Sequence, residues 1–290
     1  MYLINVQTMQ LEQFQDDRDL VYAILSHRWQ EEEVLFQDMQ TGKPHKKVGY
    51  VKLKRFCDEA AAGHYTYAWC DTCCIDKSSS AELSESINSM FRWYQNSVVC
   101  YAYLYDVTTS DVDDNGSDFS NSVWFSRGWC LQELLASKAL TFFEWKSLGT
   151  KEHLSQIISK ATGIHHEALC GRDLQDYSIA QRMSWASDRV TTRVEDIAYS
   201  LLGIFGVNMP LLYGESERAF TRLQEQIMKQ SSDQSILVHS SRSQDQQLLA
   251  LSPADFRDSS NVVQSDVRLI AAPYNLTNIG LSIECRLCPW

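Results

Sequence analysis

Side chains suited to chemistry cluster in three short stretches: Ser26, His27, Arg28 and Trp29; Asp71, Asp76 and Lys77; and Arg127, Trp129 and Glu133. A fixed carboxylate such as Glu133 can stabilise positive charge that develops in a transition state. Arg28, Lys77 and Arg127 suit an anionic group such as a phosphate, and Trp29 or Trp129 offers a face on which a ring can stack. Several of these residues also have a structural explanation. Glu133 falls in the opening turns of an expected helix, where the helix dipole favours acids. Asp71, Asp76 and Lys77 can cap and pair around a turn, and the tryptophans suit a core.

Cysteine chemistry has less support. Cys70, Cys73 and Cys74 are followed by no second Cys or His pair at zinc-finger spacing, and Cys285 with Cys288 is a lone Cys-x-x-Cys. No metal site is expected from these spacings. Cys73 and Cys74 read as buried thiols, and a cysteine hydrolase would need His27 beside Cys74. Asp111, Asp113, Asn115 and Gly116 begin like a calcium loop, but Ser122 stands where its bidentate Glu is required. A solvated surface loop is expected there instead.

The elements that must position these side chains follow from periodicity. Short apolar runs at Val21–Leu25, Tyr65–Cys70, Val98–Leu104 and Ala139–Trp145 predict buried strands. Helices are predicted between them. Leu53, Phe56, Cys57, Ala60 and Ala61 form one apolar stripe ending at Gly63. Leu83, Ile87, Met90, Phe91, Tyr94 and Val98 form another, behind a capping box of Ser79 and Glu82. A third helix runs from near Arg127 through Leu131, Leu134 and Leu135 to Ala136.

Strand and helix in alternation imply an α/β fold, a mostly parallel sheet flanked by helices. Ligands of such sheets bind outside the carboxyl ends of the strands. The three polar stretches follow the first strand, follow the second strand and open the third helix, so they converge on one expected cleft.

Beyond Trp145 the pattern turns helical, at His153–Ala161, Ile179–Ser187, Asp196–Phe205 and Ser216–Lys229, with a second capping box of Thr192 and Glu195. Past Gln234 short strands are expected at Ser235–His239, Val267–Ala271 and Leu281–Cys285. The implied organisation is an α/β domain over 1–150, a helical extension over 151–233 and a small β region over 234–290.

A net charge of −11 without a basic patch argues against nucleic acid and anionic membrane surfaces. The uncharged stretch Ile197–Gly214 is broken by Gly203, Gly206, Asn208 and Pro210, and no membrane span is expected. Met1–Asp17 lacks the pattern of a secretory signal, which implies a cytoplasmic protein with reduced thiols.

Three blocks resemble the heterokaryon-incompatibility (HET) domain of filamentous fungi: Tyr-Ala-Ile-Leu-Ser-His-Arg-Trp at 22–29, Trp-Cys-Asp-Thr-Cys-Cys-Ile-Asp-Lys at 69–77 and Arg-Gly-Trp-Cys-Leu-Gln-Glu-Leu at 127–134. Arg182-Met-Ser-Trp-Ala, Thr191-Thr-Arg-Val-Glu-Asp-Ile-Ala-Tyr and Met209-Pro-Leu-Leu-Tyr-Gly-Glu resemble the segment that commonly follows such a domain. Gln30 departs from the small residue usual after the first block. The resemblance implies a role in programmed cell death and self-association into a homo-oligomer on activation.

HET domains are in turn similar to Toll/interleukin-1 receptor (TIR) domains, which implies a TIR-like, flavodoxin-like sheet. In TIR enzymes that cleave NAD, the Glu of Trp-Cys-x-x-Glu-Leu is catalytic, and by that motif it corresponds to Glu133. Ordinary glycosides need two carboxylates because the leaving group must receive a proton. The nicotinamide of NAD is bound as a cation and departs neutral, so one anion facing the ribose suffices. NAD is then the substrate, and no permanently bound cofactor is implied. Ser26, His27, Arg28, Trp29, Asp71, Asp76, Lys77, Arg127 and Trp129 would line its site. The competing reading is a self-associating signalling adaptor without catalysis.

Overall fold

The computed structural model describes residues 1–15, 17–108, 112, 117–144, 146–240, 248–263, 275–277 and 280–282. Two compact units divide the chain: Met1–Arg172 with Arg189–Thr191, and Asp173–Asp188 with Thr192–Trp290.

The first unit is α/β. Its strands are β1 (Tyr2–Asn5), β2 (Gln10–Gln13), β3 (Tyr22–His27), β4 (Tyr67–Trp69), β5 (Val99–Tyr103), β6 (Leu140–Phe143) and β7 (Ser147–Thr150). They form one seven-stranded sheet in the order β2-β1-β4-β3-β5-β6-β7. The core β4-β3-β5-β6 is parallel. β1 pairs antiparallel with β4 and β2, and β7 antiparallel with β6. The four apolar runs thus form the parallel core, while the sheet as a whole is mixed. The added strands are four residues each, β2 and β7 mostly polar or small and β1 with only Tyr2, Leu3 and Ile4 before Asn5, so no long apolar run marks them.

Between the strands lie α1 (Phe36–Gln40), α2 (Tyr50–Ala62), α3 (Ser80–Asn96) and α4 (Gly128–Ala136), followed by α5 (Ser155–Thr162) and α6 (His166–Leu169). β3 is buried along its whole length, as a strand covered on both faces must be. Its backbone is tied to α3: the Tyr22 hydroxyl donates to Trp93 O at 2.6 Å, and the Tyr94 hydroxyl donates to Leu25 O at 2.9 Å. Chain order runs from β3 outward to β4, then back across β3 to β5. At such a reversal the connections leave on opposite faces, and a crevice opens outside the carboxyl ends.

Only half of the expected capping box of α3 forms. The Ser79 hydroxyl accepts from Glu82 N at 3.3 Å, but the Glu82 carboxylate takes the Asp76 N–H at 2.9 Å instead of that of Ser79.

The second unit contains α7 (Ile179–Ser184), α8 (Asp196–Tyr199), α9 (Leu202–Phe205), α10 (Arg218–Gln230) and a hairpin of β8 (Asn275–Thr277) and β9 (Gly280–Ser282). The single helix expected over Asp196–Phe205 is two short ones. Glu195 does not close a capping box with Thr192: its carboxylate accepts from Gly214 N at 2.7 Å and Ser216 N at 3.1 Å, holding the turn before α10. The strand expected at Ser235–His239 is instead a 3-10 turn, Gln234–Leu237, because Asp233 caps Ser235 N at 2.9 Å and also binds Ile179 N at 2.7 Å. Val267–Ala271, Cys285, Cys288, Trp145 and the calcium-like residues Asp111, Asp113, Asn115 and Gly116 lie outside the described residues. No helix among the described residues is long and apolar enough to cross a membrane.

Candidate active site

The end of β3 carries the site because its sequence changes there from apolar to polar while the strand stays buried. Ser26 is fully buried, and its hydroxyl donates to Glu133 Oε2 while accepting the Trp124 indole N–H at 2.9 Å. Trp124 comes from a 3-10 turn, Val123–Ser126, just before α4. Asp106 holds that turn by accepting from Ser122 Oγ and Val123 N, each at 2.8 Å. Glu133 therefore reaches the end of β3 from α4, and the two elements are locked through a tryptophan.

Glu133 is buried, and loss of hydration raises its carboxyl to about 8; the Ser26 hydrogen bond and Arg127 pull the other way, while Asp71 adds to the rise. The group is thus mostly a neutral acid at pH 7. The α4 helix is held at both ends. Gly128 N donates to Val190 O at 2.9 Å, and Arg189 donates to Arg127 O at 3.0 Å. At the far end the buried Lys151 ammonium donates to Leu134 O at 3.1 Å and Ser137 O at 2.5 Å.

His27 points into a second polar group. Its Nε2 lies 3.0 Å from Asp71 Oδ1 and 3.7 Å from Cys70 Sγ, and its Nδ1 lies 3.8 Å from Glu33 Oε1. Glu33 is itself paired with the buried ammonium of Lys52. Burial and Lys52 disfavour charge on His27, yet Cys70 and Asp71 outweigh them and raise it to about 9. Burial likewise opposes ionisation of Asp71, but the hydrogen bond and charge of His27, with Lys77 and Trp29, hold its carboxyl down at about 2.

Trp29 is exposed, with Lys77 and Arg28 half-buried. The Trp29 indole N–H donates to Asp71 Oδ2 at 2.7 Å, and Lys77 Nζ sits 3.6 Å from the centre of the Trp29 ring. Burial lowers the Lys77 ammonium, and its Nζ has no hydrogen-bond partner among the described residues. Arg28 donates to the Tyr105 hydroxyl at 2.9 Å.

The expected residues therefore separate by role. Ser26 is spent on Glu133 and Trp124, with no exposed surface left for a ligand. Asp76 faces away into a turn, accepting from Ser78 N at 3.0 Å, Ser78 Oγ at 2.6 Å and Gln37 Nε2 at 3.1 Å. Arg127 caps the start of α4 with its backbone, and Trp129 is half-buried on the first turn. His27 meets Cys70, not Cys74, and Cys73 and Cys74 are buried. Trp124, Glu33, Lys52 and Lys151 were not legible as site residues, because no motif or spacing pattern ties each to its partner.

Residues 22–118 match the family model described as heterokaryon incompatibility protein (HET), and residues 218–275 match a domain of unknown function (DUF8212). The HET match contains the Ser26–Trp29 and Asp71–Lys77 stretches, while Glu133 lies beyond its end. The chain is 48% identical over 218 residues to the vegetative incompatibility protein HET-E-1 of Podospora anserina, covering 72% of this chain. The chain spans 16% of the length of that relative. No solved structure matches. With its matched block built around β3 and the loops at its carboxyl end, the chain belongs to the heterokaryon incompatibility (HET) family.

Proposed function

We propose that this chain serves heterokaryon incompatibility and the cell death that enforces it, by cleaving the nicotinamide glycosidic bond of NAD at Glu133. The observation that carries the reading is the seating of a buried carboxylate at the carboxyl end of β3, the strand that runs on into Arg28 and Trp29. The parallel core has the spatial order second, first, third, fourth, which supports a TIR-like, flavodoxin-like arrangement with its ligand crevice at β3 and β5.

The raised carboxyl of Glu133 fits a cationic ligand. Without one, the acid keeps its proton; a pyridinium and its ribose seated nearby favour the anion and expel that proton. The glycosidic bond then breaks with both electrons going to the nicotinamide nitrogen, which leaves neutral. Glu133 faces the cation developing on the ribose, and water adds to it with loss of a proton. Trp29 stacks on a ring, while Lys77 and Arg28 receive the diphosphate.

The test is NAD turnover by the assembled protein. Wild type hydrolyses or cyclises NAD, and Glu133→Gln loses at least about 100-fold in kcat, the scale of removing one preorganised electrostatic group. Equal, negligible turnover by both overturns the reading. The burial of Glu133 favours one competitor, a self-associating adaptor in which the acid is structural. A Glu133→Gln chain that assembles and still kills cells would establish that competitor.

A further inference from the structure

We propose that His27, Cys70 and Asp71 form a binding site for a divalent transition-metal ion of the zinc class, distinct from the Glu133 carboxylate. Their donor atoms Nε2, Sγ and Oδ1 all lie within 4.8 Å of one another. Nε2 is 3.0 Å from Oδ1 and 3.7 Å from Sγ. A tetrahedral ion with bonds of about 2.0 Å to N and O and about 2.3 Å to S holds its donors about 3.3–3.5 Å apart. The imidazole and thiol, at 3.7 Å, are within a few tenths of an ångström of that spacing. Sγ and Oδ1 lie within 4.8 Å of each other, and the carboxylate moves toward the sulfur as the His27–Asp71 hydrogen bond gives way to the ion.

Two of the three donors have an outer partner in place and the third faces one, the arrangement that orients metal ligands. For His27, Nδ1 is buried without a hydrogen-bond partner among the described residues and faces Glu33 Oε1 at 3.8 Å. For Asp71, the second carboxylate oxygen is fixed by the Trp29 indole N–H at 2.7 Å. For Cys70, the sulfur lies 3.1 Å from Thr72 Oγ1. A His27 answering only to Asp71 leaves Nδ1 without a purpose; as a metal ligand it gains the carboxylate–histidine–metal relay with Glu33.

The donor set names the ion. One nitrogen, one sulfur and one oxygen exclude calcium and magnesium, which take oxygen, and suit zinc or cobalt. Binding releases the thiol proton and the imidazolium proton, and thiolate plus carboxylate then neutralise the dication. Three protein ligands leave a fourth position for water or an incoming ligand. Two ammonium groups face the cluster, Lys52 paired with Glu33 and Lys77 over the Trp29 ring, so affinity depends on the thiolate. The sequence hides this site because its ligands come from the ends of two adjacent strands, not from one spaced motif.

The test is cobalt titration of the chelator-stripped, tag-free chain, followed by zinc displacement. Wild type binds one Co2+ with thiolate-to-cobalt charge-transfer absorption and the strong visible bands of a tetrahedral ion. Asp71→Asn binds at least about tenfold more weakly, and Trp29→Phe, which frees the Asp71 carboxylate, loses about tenfold. Cys70→Ser abolishes the charge-transfer band. Cys170→Ser, at the exposed thiol 3.6 Å from His166 Nε2, leaves it intact. Absence of the band in folded wild type overturns the site, as does a band that follows Cys170 or ignores both Asp71→Asn and Trp29→Phe. Those two variants decide the matter if Cys70→Ser does not fold. The readout is spectroscopic, so its failure leaves the Glu133 reading standing, and loss of NAD turnover leaves this site standing.

Discussion

The Ser26 hydroxyl donates to the Glu133 carboxylate while accepting the Trp124 indole N–H, so one oxygen joins the end of β3 to α4 and to the turn that precedes it. A hydroxyl has one proton to give and two lone pairs to receive. With its proton committed to Glu133, Ser26 fixes the carboxyl's direction and cannot also serve a ligand as donor.

Ser26→Ala removes this joint. The Ser26 hydrogen bond is among the influences holding the Glu133 carboxyl down, so the variant's carboxyl titrates above the wild-type value of about 8. The buried Trp124 N–H loses its acceptor at the same time, and the chain is destabilised by about 1–3 kcal/mol. Infrared detection of the protonated carboxyl through a pH series reads the first effect, and urea unfolding reads the second. An unchanged titration would mean that Ser26 does not set the acid.

Glu133 also makes stability depend on pH, with a definite sign. Its carboxyl rises from 4.5 to about 8 on folding, so between these values the folded chain holds a proton that the unfolded chain has released. Its contribution is therefore greatest below pH 4.5, falls through the interval by up to about 1.4 kcal/mol per pH unit, and levels off above 8. His27, raised to about 9, shares the downward slope, which makes comparison with Glu133→Gln necessary. The amide variant keeps His27 and loses the Glu133 part, so its unfolding free energy falls less steeply between pH 5 and 8. Parallel wild-type and variant profiles would contradict the raised acid.

The same acid predicts the pH dependence of NAD cleavage. Only the anion stabilises a ribosyl cation, so kcat/KM rises with pH and flattens near the carboxyl's value of about 8 in the free chain. Once the cationic substrate is bound the anion is favoured, and kcat flattens at a lower pH. A kcat/KM profile that is flat from pH 6 to 9 would remove Glu133 as the titrating group.

Much of this arrangement was legible in the sequence, for reasons that particular residues make clear. Tyr22–Leu25 announces a doubly covered strand because parallel strands buried on both faces carry unbroken apolar runs, and the structure pairs it on both sides. The convergence of Ser26, Asp71 and Glu133 follows from strand and helix order alone. Tyr2–Asn5 was invisible because a four-residue antiparallel strand has no run long enough to stand out. The roles were harder to read than the places. Nothing local distinguishes Ser26, which orients Glu133, from a ligand-binding serine, since its partners are 107 and 98 residues away. Cys70 meeting His27 depends on the register of β4 beside β3, which a spacing pattern within one segment does not encode.

Lys151 supplies the last prediction, because it closes the helix on which Glu133 stands. Its ammonium donates to Leu134 O and Ser137 O, and the Ser137 hydroxyl donates in turn to Glu133 O at 2.8 Å. A cation at a helix carboxyl terminus is favoured by the dipole and satisfies carbonyls that the helix leaves open. Burial nevertheless lowers Lys151 from 10.5 to about 8, with Cys100 and Cys170 opposing that fall. Between those values the unfolded chain holds more protons, so the group makes stability rise with pH there. Lys151→Met strands two carbonyls and costs about 1–3 kcal/mol at pH 7, and it removes the rise above pH 8. In the NAD assay the loosened α4 lowers kcat with little change in KM, because the methionine sits at the carboxyl end of the helix, not among Trp29, Lys77 and Arg28. Unfolding at pH 7 and pH 9.5, measured beside steady-state kinetics, separates this from a general loss of packing, which would lower stability equally at both.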